Sequence, residues 1–119
     1  MGLKVFVVDD EEQIAEILSD LLREAQFDVE TFHDGRSALM RAGDCLPDIL
    51  VSDISMPEMD GIALAEALRE RNPNCRVILI SGNPKWKTHT HLQGVESNGF
   101  VLLPKPFPLN KLLSLIESE

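Results

Sequence analysis

Ile-Leu-Val-Ser-Asp-Ile-Ser-Met-Pro-Glu-Met-Asp-Gly, residues 49–61, decides the fold. An apolar run climbs to Asp53, and Pro57 and Gly61 then break it. The pattern predicts a buried strand over 49–53 that ends on a carboxylate and passes into a loop. An unpaired buried charge is costly. Asp53 therefore needs a cation beside it or a chemical task.

Upstream, residues 3–8 form an apolar, Val-rich run with one lysine, the pattern of a buried strand. It ends on Asp9-Asp10-Glu11-Glu12. Ile14, Ile17, Leu18, Leu21, Leu22 and Ala25 then recur at steps of three and four, which predicts one inward helix face. The acids before it suit the positive end of the helix dipole. Residues 27–32 alternate loosely and predict a weaker, more exposed strand. Asp34-Gly35 opens a second helix over 36–42, which Gly43 closes.

Downstream, Asp60-Gly61 begins a third helix, with Asp60 as its cap. Ile62, Leu64, Ala65 and Leu68 face inward; Glu66, Arg69, Glu70 and Arg71 face outward. Asn72-Pro73-Asn74 stops it. Residues 76–80 predict a fourth strand ending on Ser81-Gly82, and 100–103 a fifth. A last helix turns Leu109, Leu112, Leu113 and Ile116 inward. Between strands four and five, Pro84, Gly94 and several Thr and His residues are poor helix formers, so only a short helix over 87–96 is expected.

Strands alternating with helices predict a parallel sheet covered on both faces. Ligands of such sheets sit beyond the carboxyl ends of the strands. Those ends carry Asp9, Asp10, Asp53, Ser81 and Lys105. Close carboxylates repel one another, and a divalent cation removes the conflict. Mg²⁺ prefers oxygen ligands and is commonly held by one or two carboxylates plus phosphate. No His or Cys falls in the pattern, which disfavours zinc. A lysine and a serine hydroxyl could hold further phosphoryl oxygens. The set suits phosphoryl transfer onto a carboxylate.

The chain has 119 residues, 44% hydrophobic and 26% charged, with a formal charge of −9. That size fits one domain with a real core. The acidity argues against direct contact with nucleic acid, whose phosphates are held by Lys and Arg. No apolar run reaches the length of a membrane span, and the amino-terminal residues do not read as a signal peptide. The expected compartment is the cytoplasm, with Cys45 and Cys75 as reduced thiols.

With these residues in view, the sequence resembles the receiver domain of two-component response regulators. Val-Val-Asp-Asp-Glu at 7–11, Asp-Ile-Ser-Met-Pro-Glu-Met-Asp-Gly at 53–61, Ile-Ser-Gly at 80–82 and Leu-Pro-Lys-Pro-Phe at 103–107 carry the resemblance. It covers essentially the whole chain, 1–119, as one receiver domain. It implies a doubly wound α/β fold with five parallel strands in the order 2-1-3-4-5. Asp53 would be the phosphoacceptor. Asp10, Asp53 and the backbone carbonyl of Ser55 would bind Mg²⁺ directly, and Asp9 mainly through water. Ser81 and Lys105 would hold phosphoryl oxygens, and the Lys105–Pro106 bond would be cis.

The resemblance also implies partners. The donor would be a phosphohistidine on a sensor histidine kinase or phosphotransfer protein, and the receiver of the signal a downstream protein or an attached output domain. A homodimer stays open. The module would phosphorylate and dephosphorylate itself rather than turn over an external substrate.

Two departures stand out. The family often carries Tyr or Phe three residues before the lysine; that position is Leu102, while Phe100 lies two residues earlier on the same side of the strand. The interval from Ser81 to Lys105 is slightly long. Both bear on the usual signalling face, and they support an alternative, a receiver-like scaffold that no longer uses phosphate. A small-molecule phosphatase with Asp53 as nucleophile is a further rival, but its class wants an acid two residues on, where Ser55 stands. Glu11, Glu12 and Glu58 are read as solvated, and His33 as a surface residue.

Overall fold

The first strand, β1 (Lys4–Val8), is buried on both faces, and its side chains divide by parity. Val5 and Val7 join one apolar layer, Phe6 and Val8 the other. The same alternation runs through β3 (Ile49–Asp53) and β4 (Arg76–Ser81). A strand sandwiched between two helical layers has no polar face, so its sequence reads as a continuous apolar run.

The computed structural model describes residues 2–82 and 99–117. With β2 (Asp28–Phe32) and β5 (Val101–Pro104), the strands form one parallel sheet in the order β2-β1-β3-β4-β5. This is the expected doubly wound order. Helices α2 (Gly35–Ala42) and α3 (Gly61–Arg71) cover one face through Ala38, Ala42, Leu64, Ala65 and Leu68. Helices α1 (Glu12–Glu24) and α4 (Leu109–Glu117) cover the other through Ala15, Leu18, Leu22, Leu112 and Ile116. Among the described residues, no helix is long and apolar enough to cross a membrane. Cys45 and Cys75 are both free, and burial pushes the Cys75 thiol up to about 11.

Helix ends follow local chemistry. Asp34 accepts a hydrogen bond from Ser37 N at 2.7 Å, and Asp60 one from Ala63 N at 2.8 Å, satisfying amides that the first turn leaves open. At the other end of the sheet, Arg76 donates to the carbonyls of Ile116 and Leu115 at 2.6 and 2.5 Å, closing the last turn of α4.

Several expectations need correction. Ile17 is not inward but 52% exposed, while Ser19 is fully buried and bonded to Thr31 Oγ1 at 2.6 Å. The apolar stripe of α1 is therefore rotated from the face that meets the sheet. Leu109 is likewise 43% exposed. Gly43 ends α2 with right-handed backbone, φ −62°, so its amide bonds Met40 O and Arg41 O without a left-handed cap. Arg69 is half-buried, its guanidinium 5.0 Å from the centre of the Phe100 ring. The fifth strand starts one residue later than expected, at Val101, with buried Phe100 just ahead of it. Phe100 and Leu102 do pack on the same layer. The helix expected over 87–96 lies outside the described residues.

Candidate functional site

In a parallel sheet every strand delivers its carboxyl end to the same edge. Asp53 closes β3, Ser81 closes β4, Asp9 and Asp10 follow β1, and Lys105 follows β5. Register brings these ends level: Val8 pairs with Ser52, Asp53 with Ile80, and Ser81 with Pro104. The site is thus built by topology from short segments far apart in the chain.

The three aspartates converge. One carboxylate oxygen from each of Asp9, Asp10 and Asp53 lies within 4.8 Å of the others. Asp9 and Asp53 are buried and Asp10 is exposed. Burial pushes the Asp53 carboxyl up to about 6; Lys105 opposes that rise, and Asp9 and Asp10 reinforce it. Burial raises Asp9 as well, against a hydrogen bond from the Glu11 amide. That amide donates to Asp9 Oδ1 at 2.9 Å, while Asp9 Oδ2 is buried with no hydrogen-bond partner among the described residues. A buried acceptor left bare is rare unless something binds there. The available donors are all oxygens, which fits a hard cation such as Mg²⁺.

Lys105 completes the charge pattern. It is half-buried, with Nζ 4.0 Å from Asp53 Oδ1 and 3.8 Å from Glu11 Oε1. Its amide donates to Ser81 O at 2.8 Å, which ties the β5 end to the β4 end. Ser81 is buried beneath this edge. The Lys105–Pro106 peptide is cis, as the resemblance implies. Ser55 is exposed, two residues past Asp53.

Glycine at 61 is a packing requirement. A Cβ there would lie 2.3 Å from Asp53 O. Gly61 N also donates to Ile54 O at 2.9 Å, closing the loop back onto the strand end. The loop crosses Glu58 at φ 67°, left-handed backbone that a non-glycine residue adopts only at a cost. Glu58 in turn meets Arg36 at 3.5 Å.

Three features escaped the sequence reading. Glu11, read as solvated, orients Asp9 by its backbone and reaches Lys105 by its side chain. The motif Asp-Asp-Glu held that signal, but not which group each atom would meet. His33, read as a surface residue, is half-buried with Nδ1 3.3 Å from Asp9 O. Third, an apolar groove of about 270 Å³ opens beside Lys105, lined by Ile14, Ile17, Leu18, Ile80, Phe107 and Leu109 among others. Its walls come from α1, the end of β4 and the segment after β5, which only the fold brings together.

Sequence comparison finds related proteins. The chain is 34% identical over 113 residues to the DNA-binding transcriptional regulator NtrC of Salmonella typhimurium, covering 95% of this chain and 24% of NtrC. It is 33% identical to the probable transcriptional regulatory protein TcrX of Mycobacterium tuberculosis, covering 92% of this chain and 46% of TcrX. The chain thus spans from about a quarter to about half the length of these relatives.

Among solved structures, the chemotaxis protein CheY4 of Vibrio cholerae superposes with a TM-score of 0.86 at 29% identity, covering 98% of both chains. A chain from the CheX-CheY-BeF3-Mg complex of Borrelia burgdorferi superposes at 0.84 with 27% identity, covering 96% of this chain and 86% of that one. The family described as the response regulator receiver domain matches residues 5–117. This chain belongs to the response regulator receiver domain family.

Proposed function

We propose that the chain is a phosphoacceptor module that takes a phosphoryl group onto Asp53 and changes conformation to pass on a signal. One observation carries this reading. Asp53 sits at a strand end with two further aspartates, a buried Asp9 oxygen with no partner among the described residues, and a lysine 4.0 Å away. A structural ion-pair cluster would pair its buried acceptors; this one leaves one bare.

Asp10, Asp53 and the Ser55 backbone carbonyl would hold Mg²⁺ directly, with Asp9 reaching it through water. When bound, the ion supplies positive charge that offsets the charge of the phosphoryl oxygens and lets Asp53 stay ionised. Asp53 then acts as nucleophile. Its carboxylate oxygen forms a bond to phosphorus as the phosphorus–nitrogen bond of a donor phosphohistidine breaks. The electron pair stays on the imidazole nitrogen, which takes up a proton. Lys105 and Ser81 hold the phosphoryl oxygens, one as a point charge and one as a hydrogen-bond donor. Attack of water on the phosphorus of the acyl phosphate then breaks its bond to the Asp53 oxygen, which releases inorganic phosphate and restores the carboxylate. The chain turns over no external substrate in this scheme.

A protein donor must reach Asp53 from the open edge of the sheet. The groove between α1 and the start of α4 lies there and exposes Ile17 and Leu109. It would seat the kinase or phosphotransfer partner. The curated relatives are longer transcriptional regulators, so the signal would pass to an attached output domain or a separate downstream protein.

The test is chemical. Incubation with Mg²⁺ and acetyl phosphate should add one phosphoryl group to the intact chain, seen by mass spectrometry. Asp53→Asn should take up none. No adduct on the wild type, or an equal adduct on the variant, would sink the proposal and favour the phosphate-independent scaffold.

A further inference from the structure

Glu11 touches both halves of the site. It is the N-cap of α1, with extended backbone, and its carbonyl accepts Ala15 N at 3.1 Å. Its amide holds Asp9 Oδ1 at 2.9 Å. Its side chain is 67% exposed and points Oε1 at Lys105 Nζ, 3.8 Å away. The ammonium therefore stands between two carboxylates at nearly equal distance, 3.8 Å from Glu11 and 4.0 Å from Asp53. Neither separation is short enough for a hydrogen bond. Lys105 is balanced between them rather than committed to either.

We infer that Glu11 is a positioning residue for Lys105, holding the ammonium off Asp53 before phosphorylation and setting how readily it moves to the incoming phosphoryl group. The inference rests on Asp53 being the phosphoacceptor. The physical reason is competition for one cation. Before transfer, the Glu11 and Asp53 carboxylates draw on it from similar distances, and Asp9 also feels its charge. A phosphoryl group on Asp53 carries more negative charge than the Glu11 carboxylate, so the ammonium leaves Glu11. Glu11 thereby favours the unphosphorylated arrangement and slows the charging of Asp53.

The pair is exposed on the Glu11 side, so the effect is bounded by what screened ion pairs deliver. Glu11→Gln should speed phosphoryl uptake from phosphoramidate with Mg²⁺ by about two- to fivefold at low salt. The gain should shrink as salt screens the pair. Removing any acid near the site also changes the attraction of a charged donor. Glu12→Gln controls for that: Glu12 is the exposed next residue, and among the described residues no ion pair joins it to Lys105. It should leave the rate near wild type. The Lys105 side-chain methylene resonances next to Nζ should shift in Glu11→Gln and stay in place in Glu12→Gln.

Equal rates in the two variants, or unmoved Lys105 resonances in Glu11→Gln, would overturn the inference while leaving Asp53 as phosphoacceptor. A wild type that takes up no phosphoryl group overturns both.

Discussion

The Lys105 ammonium stands 4.0 Å from Asp53 Oδ1, beyond hydrogen-bond length but close enough to favour the charged carboxylate. Burial nonetheless wins and holds the Asp53 carboxyl at about 6, above its ordinary 3.8. The folded state therefore binds the proton more tightly than the unfolded chain. The stability this group contributes is complete below about pH 4 and is lost as pH rises through about 6. Asp53→Asn, which carries no charge, should stabilise the metal-free protein at about pH 7.5 by about 1–3 kcal/mol. The gap should close near pH 4. Urea denaturation in a chelator at both pH values checks it, and a gap that persists at pH 4 would point to a cause other than charge.

Magnesium should reverse this penalty. On the proposed reading the ion would bind the ionised carboxylates, and so would stabilise the folded chain and compete with protons. Millimolar Mg²⁺ should raise the melting temperature at neutral pH, and the rise should fade as pH drops below about 6. Calorimetric scans with and without the ion measure it. A rise that does not depend on pH would place the ion elsewhere.

Gly61 is the most constrained glycine at the site. Alanine there would set a Cβ 2.3 Å from Asp53 O, with backbone rather than a flexible side chain in the way. Gly61→Ala should cost about 2 kcal/mol or more. It should also shift the amide resonances of Asp53 and Ile54. A thermal melt indistinguishable from wild type would show that the loop can back away from the strand end.

Ile17 offers a way to separate docking from chemistry. It is 52% exposed, so Ile17→Lys should change stability by less than about 0.5 kcal/mol. Phosphoryl uptake from acetyl phosphate should stay within about twofold of wild type, because Ile17 touches no reacting atom. Transfer from a phosphohistidine protein should drop by about tenfold, the effect of losing a contact worth 1–2 kcal/mol. Equal loss with both donors would move the role of Ile17 from docking to the site itself.

Arg76 ties the amino end of β4 to the carboxyl end of α4 through two charged hydrogen bonds. Arg76→Met keeps the apolar stem but removes both donors. It should cost about 1–3 kcal/mol and raise amide exchange in α4 more than in α2. Uniform loss of protection across all helices would instead mean global destabilisation.

Much of this molecule was legible in residue order. Parallel strands with both faces covered leave unbroken apolar runs, so β1, β3 and β4 announced themselves. Asp34 and Asp60 announced the starts of α2 and α3 because capping needs only the next three residues. Asp9, Asp10, Asp53, Ser81 and Lys105 could be named as a group because a parallel sheet must bring its strand ends to one edge. These are local rules or rules of topology, and a sequence carries both.

What the chain did not disclose depends on how elements rotate and pack in three dimensions. The spacing of Ile14, Ile17, Leu18 and Leu22 defines an apolar stripe, but not which part of it meets the sheet. Ser19 turns inward to bond Thr31 of β2, while Ile17 stays outward and lines the groove beside Lys105. The same holds for Glu11, whose charge was plain but whose position between Asp9 and Lys105 was not. Local periodicity and sheet topology determined the fold and the membership of the site. Tertiary packing alone decided which carboxylate oxygen lies bare, which cation stands between two acids, and which hydrophobic side chains remain outside.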